Sequence, residues 1–190
     1  MDKKVIMVSG NIDHGKDFLA DLFMGELSIL GITAEKISTA RELKEQICNL
    51  FRITPEFLDY HKNQRTPIVL PDKKTVFNFR TFIQDYGTLM REKRGFNVWA
   101  DHLLNDIFNS KAEVIIVPDL RYPFEYDTIK AIFNTTTVRI VDDNIPVDYS
   151  HSSETSMVGF DFDYVVNNTG RPKSTIDAST RILKWILNGR

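Results

Sequence analysis

The sequence predicts one α/β domain, built as a doubly wound parallel sheet with flanking helices on both faces. Residues 5–8 form a short, unbroken apolar run, which is typical of a strand that is buried on both sides, and residues 113–118 and 136–141 are interpreted as two further core strands. Between these segments, apolar residues recur every three or four positions, which indicates helices. Strands that alternate with helices form parallel sheets, because each crossover helix covers one face of the sheet.

Each element in the first half of the chain has a local signal. The helix after the first strand ends at Gly31, since glycine favours helix C-caps. Another helix begins at Thr54-Pro55, because proline is favoured at the first helical position. Residues 61–78 lack periodicity and are interpreted as a surface loop, and loops of this length are commonly functional. The predicted elements are a strand at 5–8, a helix at about 15–30, a weak strand at 33–37, and helices at 41–51 and from residue 55.

Helical spacing returns after this loop. Phe79, Phe82, Ile83 and Tyr86 share one face of a helix that Gly95 ends. A polar segment at 151–154 is suited to a lid over a site. The remaining predicted elements are a helix at 98–108, strands at 113–118, 136–141 and 163–166, and a closing helix at 176–187.

Composition excludes several classes of protein. A net charge of −2 argues against electrostatic binding of a nucleic acid polymer or a membrane over a broad surface of the protein. The single Cys48 excludes an internal disulfide and a multi-thiolate zinc site. No apolar run approaches the ~20 residues of a membrane span, and the first run is too short for a signal peptide. We therefore expect a reduced, cytoplasmic compartment and small-molecule partners.

The segment from Gly10 to Lys16 matches the pattern G-x-x-x-x-G-K between the first strand and the first helix. Glycines let such a loop wrap with its amides pointing inward, the helix N-terminus adds positive potential, and the lysine neutralises phosphate oxygens. We interpret the segment as a phosphate cradle, and within it we expect His14 to face solvent. The residues assigned to it are Gly10, Asn11, Ile12, Asp13, His14, Gly15, Lys16, Asp17 and Phe18.

Asp17 stands where this motif usually has Ser or Thr. A carboxylate is as good a hard oxygen ligand for Mg²⁺ as a hydroxyl, so we expect Asp17 to serve a metal, directly or through water. The alternative is that Asp17 is only a favourable negative charge at a helix N-terminus.

Further candidates follow the second core strand and lie within the helices. Asp119 and Arg121 come at a strand end, where ligands of open α/β sheets bind, although Arg121 can instead pair with Glu125 one turn later. Gly87 interrupts a helical pattern, which indicates a close approach either of a ligand or of another helix. Trp99 can stack on a base, but the residues alone favour a place in the core.

In this order and spacing, the motifs resemble the phage deoxynucleoside monophosphate kinases, a family within the P-loop nucleotide kinases. The resemblance covers nearly the whole chain and rests on residues 9–17, 43–45, 53–56, 86–88, 97–101, 119–125, 151–154 and 163–168. It implies transfer of a phosphoryl group from ATP to a deoxynucleoside monophosphate with Mg²⁺. It does not decide between a monomer and a homodimer. It also implies a single kinase domain over 1–190, with a helical monophosphate-binding insert at about 38–110 and a lid at about 142–160.

The resemblance also assigns roles to residues. Lys16, Arg121 and Asp17 would be catalytic, with Asp17 at the metal. The monophosphate site would be lined by Arg80, Gly87, Thr88, Trp99, Asp119, Arg121 and Glu125.

Phe18 departs from the family pattern, which has Thr at this position. Because this hydroxyl is missing, the family pattern does not fix the geometry of the metal site. A phosphate loop that continues into Phe is similar to that of the animal phosphomevalonate kinases, so a small-molecule phosphate kinase of that type is the first alternative. A nucleotide-binding module without transfer activity is the second alternative. Arg80, Asp119 and Arg121 favour a working acceptor site, since a bare binding module does not need them.

Overall fold

The computed structural model describes residues 3–64, 68–69, 76–147, 151–170 and 172–188. The elements in these ranges are, in chain order, β1 (Lys4–Ser9), α1 (Lys16–Ile29), β2 (Ala34–Lys36), α2 (Arg41–Phe51), α3 (Pro55–Gln64), β3 (Ile68–Val69), β4 (Val76–Phe77), α4 (Phe79–Arg94), α5 (Val98–Asn109), β5 (Val114–Val117), α6 (Pro123–Lys130), β6 (Asn134–Val141), α7 (Ser152–Thr155), β7 (Tyr164–Asn167) and α8 (Pro172–Asn188).

Within the described residues, the main sheet has five parallel strands in the spatial order β2, β5, β1, β6, β7. From the central β1 the chain moves to the edge strand β2, returns to β5, and then crosses β1 to β6 and β7. The reversal places a crevice at the carboxyl ends of β5, β1 and β6, where open α/β sheets bind ligands. The prediction of a doubly wound parallel sheet with flanking helices is confirmed.

Alternate residues of β1 supply two cores, because successive side chains of a strand point to opposite faces. Ile6 and Val8 pack with apolar residues of α1 and α8 on one face. Val5 and Met7 pack with residues of α5 and α6 on the other. A third cluster joins α2, α4 and α5 around the buried Trp99. Among the described helices, none combines the length and apolar character needed to cross a membrane.

The structure differs from the sequence prediction in four short elements. Helix α6 follows the strand end at Pro123, and α7 forms in the polar segment predicted to be a lid. The loop expected at 61–78 is shorter, because α3 continues to Gln64 and β3 pairs with β4 in an antiparallel ladder. Residues 65–67 and 70–75 of that loop, and residues 148–150 of the expected lid, lie outside the described residues.

Candidate functional site

The segment from Gly10 to Lys16 leaves β1 at the centre of the sheet and enters α1 directly. Gly10 lies against β6, where an added Cβ would stand 2.6 Å from the carbonyl oxygen of Ile140 and 2.9 Å from its Cγ2. Any side chain at position 10 would therefore push the loop off the sheet. The glycine is required by this close approach of two backbones.

Gly15 is the N-cap of α1 and has a φ of 100°, a conformation that L side chains rarely adopt. A Cβ at this position would lie 2.7 Å from Nδ2 of Asn168, in the loop after β7. The same Nδ2 donates to the carbonyl oxygen of His14 at 3.3 Å, and Oδ1 of Asn168 accepts from Thr175. The loop after β7 thus supports the outer wall of the Gly10–Lys16 turn, a role that sequence motifs did not assign to Asn168.

Lys16 folds back over this turn, and its Nζ donates to the carbonyl oxygen of Asn11 at 2.6 Å. Burial, followed by the positive charge of Arg121, lowers the pKa of the Lys16 ammonium to about 8, against the opposing attraction of Glu154. A bound anion would stabilise the charged form of this ammonium, because the anion compensates for the water contacts that burial removes.

The expectation that His14 faces solvent is wrong. Its side chain is buried, at 3% exposure, and its Nδ1 accepts the backbone N–H of Asp142 at 3.1 Å. Burial, with a further contribution from Lys16, lowers the pKa of the imidazole below its usual value. His14 therefore fastens the turn to the loop after β6. Phe18 is 40% exposed and does not line the cavity described below.

Asp17 lies exposed in the first turn of α1 and lines the cavity beside Lys16. Within the described residues, no group of three or more His, Cys, Asp or Glu side chains is arranged to hold a metal ion. Mg²⁺ is commonly held by only one or two carboxylates together with water and substrate phosphates. A single carboxylate next to a phosphate cradle fits that requirement.

A cavity of about 500 Å³ opens at the carboxyl edge of the sheet, between the Gly10–Lys16 turn and the helices α2 and α4. Among the described residues, seven lysines and arginines and four aspartates and glutamates line it, so this part of its walls carries an excess of positive charge. The cationic residues are Lys16, Lys36, Lys44, Lys62, Arg80, Arg91 and Arg121. Such a cavity suits an anionic ligand with several charges.

Asp119 lines the cavity, but its carboxylate is already engaged by the segment after β2. Oδ2 accepts from Oγ of Ser38 at 2.6 Å and from the N–H of Ala40 at 3.3 Å, and Oδ1 accepts the N–H of Thr39 at 2.9 Å. Ala40 is the N-cap of α2 and provides no side-chain cap of its own. Asp119 therefore supplies, from another strand, the acceptor that this helix start lacks.

Arg121 pairs with Glu154 rather than with Glu125, since its Nη1 lies 2.5 Å from Oε1 of Glu154. The sequence left open a pairing of the Arg121 side chain with Glu125. In the structure, backbone groups make that contact instead: the N–H groups of Arg121 and Tyr122 donate to Oε2 of Glu125 at 2.8 and 3.1 Å. Glu125 is buried and does not line the cavity. Its burial raises the pKa of its carboxyl to about 7.

Four of the residues assigned to the acceptor site lie on α4 or α5, and only Arg80 and Gly87 of them line the cavity. Gly87 lines the cavity and also packs on Leu43, whose Cδ2 would stand 3.3 Å from an added Cβ. Trp99 is 1% exposed behind it and donates its indole N–H to the Gly87 carbonyl oxygen at 3.1 Å. Neither Thr88 nor Trp99 lines the cavity, so neither contacts a ligand there in this conformation. Arg80 does line it.

Several cavity residues were not assigned to the site from the sequence, although Lys44 lies in one of the motifs that carry the family resemblance. Lys44 and Lys62 both reach Asp59, at 2.9 and 3.0 Å, which brings α2 and α3 to one wall. Burial, followed by the charge of Lys44, lowers the pKa of Lys62. Arg91 stacks its guanidinium over the ring of Tyr122 at 4.3 Å from the centroid. Their helical periodicity was visible, but the wall that they share depends on how separate helices pack.

The architecture and the loop together define the class of the protein. A five-stranded parallel sheet flanked by helices, whose central strand runs through a G-x-x-x-x-G-K turn into a helix, is an α/β P-loop fold.

Comparisons with known proteins find solved structures of kinases that are similar to the chain at low sequence identity, each with a TM-score below 0.5. No protein-family model and no curated protein sequence matches the chain. Among solved structures, a mutant of the Mycobacterium tuberculosis APS kinase CysC is similar at 12% identity and a TM-score of 0.44, covering 99% of both chains. Dephospho-CoA kinase from Campylobacter jejuni is similar at 13% identity and 0.46, covering 100% of both. Shikimate kinase from Acinetobacter baumannii, in complex with shikimate, is similar at 13% identity and 0.45, covering 98% of this chain and 93% of that one.

Proposed function

We propose that this protein is a kinase that transfers the γ-phosphoryl group of ATP to a deoxynucleoside 5′-monophosphate. The observation that carries the proposal is one continuous cationic cavity. It begins at Lys16 of the Gly10–Lys16 turn, passes Arg121 at the strand end, and reaches Arg80 and Arg91 on α4. The two anionic groups that take part in the transfer, the γ-phosphate of ATP and the acceptor phosphate, would each lie beside positively charged side chains of this cavity. The choice of a deoxynucleotide as acceptor rests on the family resemblance of the motifs.

On the donor side, the turn would hold the ATP phosphates by its amides and by Lys16. Phosphoryl transfer needs little covalent chemistry from a protein, so positioning and charge stabilisation provide most of the rate. Lys16 and Arg121 can offset the charge on the phosphoryl group in flight, and Arg121 can do so with two parallel N–H groups. Asp17 would hold Mg²⁺, which when bound neutralises charge on the phosphate oxygens.

On the acceptor side, the cations of α2, α3 and α4 would hold the monophosphate, and the apolar Leu43 and Ile83 line the same cavity beside them. An acceptor phosphate oxygen is already ionised near neutral pH, so no side-chain base is needed to activate it. His151, Ser153 and Glu154, from the segment predicted to form a lid, line the same cavity. Their closure would exclude water that otherwise competes as an acceptor.

An ADP-release assay with the four common deoxynucleoside monophosphates as acceptors tests the proposal. We expect turnover with at least one of them, and a loss of at least about 100-fold in Lys16→Ala, because a charge-assisted contact to the transferred group is removed. Lys184→Ala is the matched control, since Lys184 is an exposed residue of α8 outside the cavity. It should retain the wild-type rate.

The same assay separates the alternatives. Ribonucleoside monophosphates and phosphomevalonate are run in parallel as acceptors. Turnover with phosphomevalonate but with no deoxynucleotide would make the protein a small-molecule phosphate kinase. Binding of ATP without turnover of any acceptor would make it a nucleotide-binding module. Near-normal turnover of Lys16→Ala would overturn the assignment of the phosphate loop itself.

A further inference from the structure

Glu154 on α7 is a buried carboxylate that the proposed transfer does not use. It is 6% exposed, and its two oxygens contact two different parts of the candidate site. Oε2 accepts the N–H of Ile12 in the phosphate loop at 3.1 Å, and Oε1 pairs with Nη1 of Arg121 at 2.5 Å. Lys16 and Arg139 also interact electrostatically with this carboxylate. One acidic side chain thus faces three cations and a loop amide.

These partners are the kind that bind phosphate. Backbone N–H groups of a glycine-rich loop and an arginine guanidinium are the preferred donors for phosphoryl oxygens. Glu154 therefore acts as an internal anion at the loop. An incoming phosphoryl group that used the Ile12 amide and Arg121 would meet a negative charge on the same donors. The two anions exclude each other, because like charges at contact distance in a buried site repel strongly.

The backbone of this segment is anchored independently of the Glu154 carboxylate. Nδ2 of Asn11 donates to the main-chain oxygen of Glu154 at 2.9 Å. Oγ of Ser156 donates to the carbonyl oxygen of Arg121, and the hydroxyls of Tyr122 and Ser152 lie 3.2 Å apart. The Glu154 side chain can therefore leave its donors by rotation while α7 keeps its place over the cavity.

We propose that Glu154 is a positioning residue whose carboxylate occupies the terminal-phosphoryl subsite, so that a triphosphate must displace it to bind. The inference rests on the proposed function. Before binding, Glu154 provides the counter-charge for Lys16 and Arg121 and keeps Arg121 beside the loop. On binding, the triphosphate takes over these donors, and Arg121 is released from its ion pair to contact both reacting groups.

The test is isothermal titration with inorganic tripolyphosphate and with ATP in magnesium-free buffer. We expect Glu154→Gln to bind both about tenfold more tightly than wild type, because a neutral amide competes poorly for charge-assisted donors. Asp17→Asn is the matched control, since it removes one negative charge from the same cavity at an exposed position. It should strengthen binding by less than about threefold, as expected for an exposed charge screened by solvent.

Steady-state kinetics give a second readout. If Glu154 is displaced in the ATP complex, Glu154→Gln lowers the KM for ATP and leaves kcat within about threefold of wild type, because only the free enzyme loses an interaction. Should Glu154→Gln not fold, as judged by circular dichroism, Glu154→Asp replaces it. Its carboxylate is one methylene shorter and cannot reach both donors, so tripolyphosphate should bind it more tightly than wild type by a smaller factor.

The outcomes are distinct. Tighter binding to Glu154→Gln than to Asp17→Asn supports the proposal. Equal strengthening in both variants, or none in Glu154→Gln, overturns it and leaves the proposed kinase function standing. A loss of kcat with unchanged affinity makes Glu154 catalytic and also overturns it. If wild-type protein and variants bind neither tripolyphosphate nor ATP, the phosphate-loop assignment and the proposed function both fail.

Discussion

Replacement of Asp119 by Asn should destabilise the fold, although this aspartate stands at the strand end where a ligand-binding carboxylate is expected. Its two oxygens accept three hydrogen bonds from Ser38, Thr39 and Ala40, at 2.6, 2.9 and 3.3 Å. An amide can keep one oxygen on the Thr39 N–H. Its NH₂ group would then face the Ala40 N–H, which is another donor.

The size of the effect follows from these contacts. Asp119→Asn loses one hydrogen bond and the charge assistance of the others, and hydrogen bonds to charged groups are each worth about 1.5–3 kcal/mol. We therefore expect a loss of about 2 kcal/mol in the free energy of unfolding. For a chain of 190 residues this corresponds to a decrease of about 4–8 °C in Tm. The start of α2 should be the region most affected, since it lacks a side-chain cap of its own.

Urea unfolding followed by circular dichroism measures the loss. Ser38→Ala removes one of the three donors and should cost about 1 kcal/mol. Asp17→Asn removes the same charge from the cavity and should cost no more than about 1 kcal/mol, because Asp17 contributes only as a charge at the start of α1. If the carboxylate served only a ligand and held no structural contact, its neutralisation would change the stability little. Unchanged or increased stability of Asp119→Asn would thus refute the structural role argued here.

Two further predictions concern Glu125 and Gly15. The buried Glu125 carboxyl has a pKa of about 7 against an ordinary value of 4.5, so it keeps its proton in the folded state while the unfolded state loses it. The stability of wild type relative to Glu125→Gln should therefore fall by about 3 kcal/mol as pH rises from about 4.5 to 7 and stay level above, which urea unfolding across that range measures. Gly15→Ala should lose about 2 kcal/mol in the same assay, because φ is 100° and Cβ would meet Asn168 at 2.7 Å. Gly25→Ala, in the middle of α1 with nothing within 4 Å, should gain about 0.5–1 kcal/mol; equal losses in both would contradict the backbone argument.

Most of the fold could be predicted because its elements carry local signals. Helix α2 spans Arg41–Phe51, the bounds that apolar spacing predicts, and the parallel strands are visible as short apolar runs. Helices α6 and α7 were not predicted. They have eight and four residues, which is too few for a period of 3.6 to stand out. Their positions are fixed by long-range contacts, such as that of Asn11 with Glu154.

The candidate site likewise has a part that could be predicted from the sequence and a part that could not. The Gly10–Lys16 turn is contiguous in the sequence, so its residue types and spacing predict a phosphate cradle. The partner of Arg121 could not be predicted, since Glu125 is four residues away and Glu154 is thirty-three. His14 was expected to face solvent because it lies in a polar loop. The expectation failed because a backbone N–H from the loop after β6 docks on its ring.

The position of β1 at the centre of the sheet has a consequence for how the chain acquires its fold. Val5 pairs with Ile115 on one side and with Thr135 on the other, so β1, which precedes both partner strands in the chain, can pair with them only after the segments between them have been made. Contacts of such large sequence separation slow folding, because a long loop must close, at a cost in conformational entropy, before the strands can pair and stabilise the chain. Gly10 and His14 then settle against Ile140 and Asp142, at the end of β6. The phosphate loop is therefore made before the strands that support it and takes its shape only after they have been made.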